Sequence, residues 1–179
     1  QLRVLADERG VAVHLDGARI WNAHVATGSA LADYGVTADV LAVCLSKGLG
    51  APVGSLVVGS SEAMAEARVR RKRMGGGMRQ AGMLAAAGLH ALEHHVERLA
   101  DDHEHARLIA AACGVDPDTV ATNVVVVDVD DAGRVVAQAA EAGVAVGAVG
   151  RTRVRLLTHL DVSRADAQRA ATILRDLLG

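Results

Sequence analysis

Aromatic residues are nearly absent from this chain of 179 residues, which has one Trp, one Tyr and no Phe. Readers of single-stranded nucleic acid stack bases on aromatic side chains, and the chain has no such platform. Its core must therefore be built from Ala, Val and Leu. Cysteine is also scarce: Cys44 and Cys113 stand far apart with no C-x-x-C pair. That excludes the disulfide framework of small secreted domains and makes a reducing cytoplasm the expected compartment. No apolar run reaches membrane-spanning length without a charge or glycine interrupting it, and no signal-peptide pattern opens the chain. A formal net charge of -2 gives no long-range attraction to polyanions. Repeats and low-complexity tracts are absent as well. Hydrophobic residues make up 51% and charged residues 22%, as in a globular protein. The length suits one domain with a real core, or a partial domain with a small one attached. The chain opens at Gln1, without Met, on what reads as a helix tail leading into a strand. A portion of a longer protein is the expectation.

Residues 11–15 form a short β-branched apolar run bounded by Gly10 and by Asp16-Gly17, which predicts a strand. Residues 18–33 carry helical rather than alternating periodicity. Residues 39–45 are an almost continuous apolar run, as in a buried parallel strand. Together these predict a β-α-β unit with parallel strands. A third strand is expected over 53–58 and a basic helix over 60–74, followed by three glycines at 75–77. The Ala- and Leu-rich stretch 80–113 favours one long helix, at ~1.5 Å per residue long enough to span a domain. Past Pro117 the pattern predicts a strand over 122–129, a helix over 132–142 stopped by Gly143, and strands over 144–149 and 154–158. A last helix follows, capped by Ser163 with Asp166 in the capping-box position.

Ligands of parallel α/β sheets bind beyond the carboxyl ends of the strands. Asp16 ends the first strand and Lys47 follows the second. Adjacent strands lie about 4.8 Å apart, so neighbouring ends would open into one crevice. A carboxylate and an amine at one crevice edge suit a Schiff-base cofactor. The lysine would supply the imine nitrogen and the aspartate would keep a pyridine nitrogen protonated. A structural ion pair at the sheet edge is the alternative, and placement alone does not separate the two. "SKGLGAP" (46–52) puts Lys47 on a turn with two glycines, open to close approach. Arg19, three residues past Asp16, could reach the same crevice and bind a carboxylate bidentately, or be an ordinary surface arginine.

Four ordered motifs, "HLDGAR" (14–19), "CLSKGLGAPVGS" (44–55), "GGGMRQAG" (75–82) and "RLLTHLDVS" (155–163), resemble the low-specificity L-threonine aldolases. These belong to the β-eliminating lyase group of fold-type-I enzymes that use pyridoxal 5'-phosphate (PLP). The resemblance implies an α/β fold: the C-terminal part of an aspartate aminotransferase-like large domain over 1–113, ending in a linking helix, and a small α+β domain over 114–179. It implies that Lys47 is the catalytic Schiff-base lysine and that Asp16 pairs with the pyridine nitrogen. Arg19 would serve cofactor and substrate carboxylate, Arg155 would be a second carboxylate-binding arginine, and Arg79 would lie near the phosphate across a subunit contact. The implied reaction cleaves L-threonine, L-allo-threonine and related β-hydroxy-α-amino acids to glycine and an aldehyde, in a cytoplasmic homotetramer. β-Elimination or transamination on the same scaffold is the alternative, as is an inactive fragment. In the resembled family the Gly-rich phosphate loop and the His that stacks on the ring lie in the N-terminal half. No Gly-rich loop opens a helix ahead of Asp16, so the resemblance covers a C-terminal portion.

His90 and His94 share a helix face, but no third or fourth ligand completes a zinc set, and no metal is expected. A solvated polar face is the favoured reading for these and for His95, His103 and His105. His159 reads as structural. Arg68, Arg70, Arg71, Lys72 and Arg73 read as a solvated face or a subunit contact rather than a nucleic-acid patch. Cys44 reads as an inert core thiol, and "GVAVGAVG" (143–150) fits neither the dinucleotide nor the P-loop spacing.

Overall fold

Residues 1–178 are described in the computed structural model, and they pack as two units, Gln1–Glu97 and Arg98 onward. The first unit opens with α1 (Leu2–Glu8), followed by β1 (His14–Gly17), α2 (Ile20–Thr27), α3 (Leu31–Gly35) and β2 (Val40–Cys44). β1 pairs in parallel with β2, as the β-α-β pattern predicts, with His14 opposite Val40 and Gly17 opposite Val43. The strand begins at His14 rather than at residue 11. Val13 is instead tied at the entrance: its amide donates to Asp39 Oδ2 (2.7 Å), and its carbonyl accepts from the Asp39 and Val40 amides. Asp39 also takes Arg3 Nη1 at 2.7 Å, fastening α1 to the start of β2. The Arg3 hydrogen bond, with the Val13 amide, holds the Asp39 carboxyl below the usual carboxylate range. The single helix expected over 18–33 is two pieces, because Gly28 caps α2 in a left-handed conformation (φ 70°).

β3 (Ser55–Gly59) lies antiparallel on the other side of β2, giving the order β1-β2-β3. The basic helix α4 (Ser61–Arg73) starts at Ser60, whose hydroxyl accepts from the Ala63 amide. Apolar burial in this unit gathers in one place. Val43, Cys44, Leu45, Leu49 and Ala51, at the end of β2 and in the loop after it, are buried together with Ile20 and Ala91.

The expected long helix over 80–113 is interrupted: α5 (Gly82–His94) and α6 (Leu99–Ala112) are separate. Propensity favours continuity, but local contacts override it. His95 turns aside to bond the Leu49 carbonyl, and Arg98 restarts the chain by pairing with Asp102 at 2.6 Å. Asp102 is fully buried, and its carbonyl accepts the Thr158 hydroxyl at 2.5 Å. The division read from sequence falls at 113/114, whereas α6 packs with the elements that follow it.

Those elements are β4 (Val124–Asp128), α7 (Ala132–Glu141), β5 (Gly147–Ala148), β6 (Arg153–Leu157) and α8 (Arg164–Leu178), with a 3-10 turn at Pro117–Thr119. The sheet is antiparallel in the order β4-β6-β5. Alternation along β4 and β6 turns Val125, Val127, Val154 and Leu156 inward against Ile109 and Leu174 in one core. β5 is far shorter than the 144–149 run. The Val144 amide bonds back to Ala139 at the end of α7, where Gly143 takes φ 83°, and so leaves the strand. Ser163 and Asp166 cap α8 reciprocally: Asp166 Oδ2 accepts the Ser163 amide (3.1 Å), and the Asp166 amide donates to Ser163 Oγ (3.2 Å).

His103 and His105 are not on a solvated face. α6 buries both against its own unit, leaving them 3% and 7% exposed. Burial pushes the His103 pKa down; Arg107 adds to the shift and Asp102 opposes it. A histidine held neutral by the fold gives stability that is present above its unfolded pKa of about 6.5 and is lost as pH falls through the folded value. Thermal melts of the protein should therefore lose midpoint temperature as pH falls below about 6.5, and His103→Gln should flatten that dependence. Removing the fully buried Leu174 side chain (Leu174→Ala) should cost about 2–5 kcal/mol, read from urea denaturation of the second unit's signal.

Candidate active site

The carboxyl ends of β1 and β2 lie side by side because Gly17 allows it. A Cβ at Gly17 would stand 2.9 Å from the Ala42 carbonyl oxygen and 2.8 Å from Leu41 Cδ1. Only glycine permits this approach, and the strand backbone on the far side cannot move aside cheaply. Immediately before it, Asp16 is exposed, with Ala42 as its partner in register. Its Oδ1 accepts the Ala18 amide at 3.1 Å, an Asx turn that reverses the chain and orients the carboxylate. Arg19, half-buried, stands at the N-cap of α2 just beyond.

Lys47 follows β2 by three residues and is exposed. Its turn is held by main-chain bonds: the Gly50 amide to the Lys47 carbonyl (2.9 Å), Ala51 to Leu45 (3.0 Å), and Leu45 to Gly54 (2.9 Å). Of the two glycines in 46–52, Gly50 takes φ 69°, and Gly54 just beyond takes φ 140°, so these two serve the turn's backbone. Leu49 is 1% exposed and roots the turn in the core. Two ring nitrogens reach the same segment. Trp21 Nε1 on α2 donates to the Cys44 carbonyl (2.9 Å), and His95 Nδ1 contacts the Leu49 carbonyl (2.6 Å). Neither contact was legible beforehand. The lone Trp two residues past "HLDGAR" was the only signal for the first, and helical spacing gave none for His95.

Cys44 is buried as expected, but its thiol is under opposing influences. Burial pushes its pKa up, while hydrogen bonding with Ser46, the Lys47 charge and Ser55 bring it below the ordinary thiol value. Among the described residues no ion pair joins Asp16 to Lys47. Asp16, Arg19 and Lys47 thus share one sheet edge, with carboxylate and amine both open to solvent.

The remaining candidates lie elsewhere. Arg79 is exposed in the loop between α4 and α5, next to Gln80, which takes a left-handed φ of 49°. Arg155 belongs to the second unit. It stands on the exposed face of β6, opposite Val126 on β4 and Gly147 on β5. His159 is exposed; its Nδ1 accepts the Asp161 amide at 3.2 Å, a structural turn contact. His90 and His94 are exposed with ring centroids 4.5 Å apart, and no group of three metal-ligating side chains occurs among the described residues.

The sequence pattern of the beta-eliminating lyases matches residues 1–132. The chain belongs to the beta-eliminating lyase family. Within it, the chain is 43% identical over 183 residues to the low specificity L-threonine aldolase of Escherichia coli O157:H7, a match covering 96% of this chain and 52% of that protein. It is 38% identical over 173 residues to low-specificity L-threonine aldolase 1 of Arabidopsis thaliana, covering 90% and 48%. The threonine aldolase of Leishmania major superposes with a TM-score of 0.81 at 21% identity, over 99% of this chain and 55% of that one. The fold is that of the fold-type-I PLP-dependent enzymes, and the chain spans about half the length of the curated relatives it matches.

The close approach at Gly17 makes a direct test of the edge geometry. Gly17→Ala should destabilise the first unit by about 1–3 kcal/mol, seen as a lower thermal midpoint, because the added methyl meets backbone rather than a flexible side-chain tip.

Proposed function

We propose that the protein to which this chain belongs is a PLP-dependent aldolase that cleaves β-hydroxy-α-amino acids, L-threonine and L-allo-threonine among them, to glycine and an aldehyde. The observation that carries this reading is the exposed Asp16 and Lys47 on one parallel-strand edge, in a chain related throughout its length to threonine aldolases. Their chemistry fits PLP at two of its ends: an amine for the aldehyde carbon and a carboxylate for the ring nitrogen. Arg79 is the candidate for the phosphate end, lent across a subunit contact in a cytoplasmic homo-oligomer.

When bound, the cofactor supplies a protonated ring that accepts the electron pair released as the Cα–Cβ bond breaks. Asp16 holds the proton on the ring nitrogen. Its Oδ1 is already committed to the Ala18 amide, which fixes the plane of the carboxylate. Lys47 would hold the cofactor through its side-chain amine, the nucleophile that the cofactor's aldehyde carbon requires. Arg19 binds the substrate carboxylate, because a guanidinium can hold both of its oxygens; Arg155 is proposed as a second carboxylate-binding arginine. No described helix is long and apolar enough to cross a membrane.

Full-length protein incubated with L-threonine and with L-allo-threonine should release glycine and acetaldehyde. Lys47→Ala should lower that rate at least about a hundredfold. Release of elimination products in place of aldehyde would replace the aldolase reading with β-elimination, the chemistry for which the family is named. Arg155→Lys should raise KM about tenfold with a smaller change in kcat, because an ammonium cannot reproduce the bidentate grip.

A further inference from the structure

We infer that Trp21 and His95 are positioning residues that clamp the Lys47 turn from its two sides. The functional consequence rests on the reading of Lys47 as the cofactor-binding lysine; the clamp itself rests on geometry alone.

The Lys47 side chain is exposed and has four flexible methylenes. Its placement is therefore only as good as that of its backbone, which lies in a turn rather than in a strand. Main-chain bonds close the turn locally through Gly50, Ala51 and Gly54. They do not tie it to the rest of the unit. Two long-range side-chain bonds do. Trp21, on the helix after β1, donates Nε1–H to the carbonyl of Cys44, three residues before the lysine, at 2.9 Å. His95, just past α5, reaches the carbonyl of Leu49, two residues after it, at 2.6 Å. A carbonyl oxygen can only accept, so the proton of His95 sits on Nδ1. The two donors are separated from their acceptors by 23 and 46 residues. One stands on α2 and the other just past the end of α5, and they meet carbonyls on either side of Lys47 in sequence.

Packing supports the same points. Leu49 and Ala91 are each 1% exposed, and a Cβ on Gly88 of α5 would lie 3.0 Å from Leu45 Cδ1. α5 is thus pressed against the turn, and His95 closes that contact at its C-terminal end. Trp21 is half-buried and rises from the helix whose N-cap is Arg19, so one helix carries both a candidate substrate ligand and one jaw of the clamp. Single hydrogen bonds of this kind add little net stability, but small displacements of a reacting group cost rate steeply.

The test uses full-length protein carrying Trp21→Phe, His95→Leu or His95→Asn. Trp21→Phe keeps an aromatic ring, though a smaller one, and removes the donor, and Asn places an amide N–H near the position of Nδ1. Amide hydrogen exchange over residues 45–54 should quicken about tenfold in Trp21→Phe and His95→Leu, return toward the parent in His95→Asn, and stay unchanged over α4 in all three. The rate at which added PLP acquires its lysine-linked absorbance should fall about tenfold in the first two and recover in the third. Should His95→Leu fail to fold, Trp21→Phe decides alone. Exchange and linkage rates within twofold of the parent in Trp21→Phe would overturn the clamp. If instead the absorbance persists in Lys47→Ala, the cofactor reading falls while the exchange result still judges the clamp.

Discussion

The contact between Gly17 and the backbone of β2 governs the first unit. Two parallel strands stay in register only if their facing residues tolerate the local separation, and here the Ala42 carbonyl occupies the space a side chain would need. That register decides which residues reach the carboxyl edge together. With Asp16 opposite Ala42, the aspartate stands one residue before the end of β1, and Lys47 lies in the turn that follows β2, three residues past Cys44. A slip of one residue would turn the Asp16 carboxylate to the other face of the sheet.

Buried apolar packing in that unit gathers at the candidate site. β3 is exposed along its whole length, with Leu56, Val57 and Val58 each 46–52% exposed. The buried apolar residues lie instead beneath the Lys47 turn. A turn rooted in this way keeps its backbone conformation while its polar tip faces solvent, a sound basis for a preorganised site. The second unit is built otherwise. Alternating Val and Leu from β4 and β6 close one continuous core with α6, α7 and α8, and Arg155 sits on the opposite, exposed face of that sheet. Its position follows from strand parity alone, since Val154 and Leu156 must point inward.

Much of this was legible in the sequence because it depends on periodicity and on local chemistry. The parallel pairing of β1 and β2 followed from two apolar runs joined by a helical one, and the Ser163–Asp166 cap from three-residue spacing. The Asp16 and Lys47 edge followed from the ends of those runs. What sequence missed depends on contacts distant along the chain. The 80–113 stretch has the composition of one helix, but a single hydrogen bond from His95 to Leu49 and the pairing of Arg98 with the buried Asp102 divide it. His103 and His105 read as polar surface because buried histidine has no signature of its own. Only the burial of that α6 face reveals them.

The aromatic deficit acquires a different meaning once the site is seen. In a chain with no Phe, Trp21 could have served as the largest apolar filler of the core, yet it is only half-buried and spends its indole N–H on the Cys44 carbonyl. Filling was left chiefly to Ala, Val and Leu, which pack a small-residue core without polar atoms to satisfy. A ring with a donor at its edge does what those residues cannot: it spans from a helix to a main-chain oxygen and holds the distance rigidly through few rotatable bonds. The same argument applies to His95 on the other side of the turn. Trp21 and His95 therefore stand where a backbone position has to be fixed, and aliphatic residues suffice where volume alone must be filled.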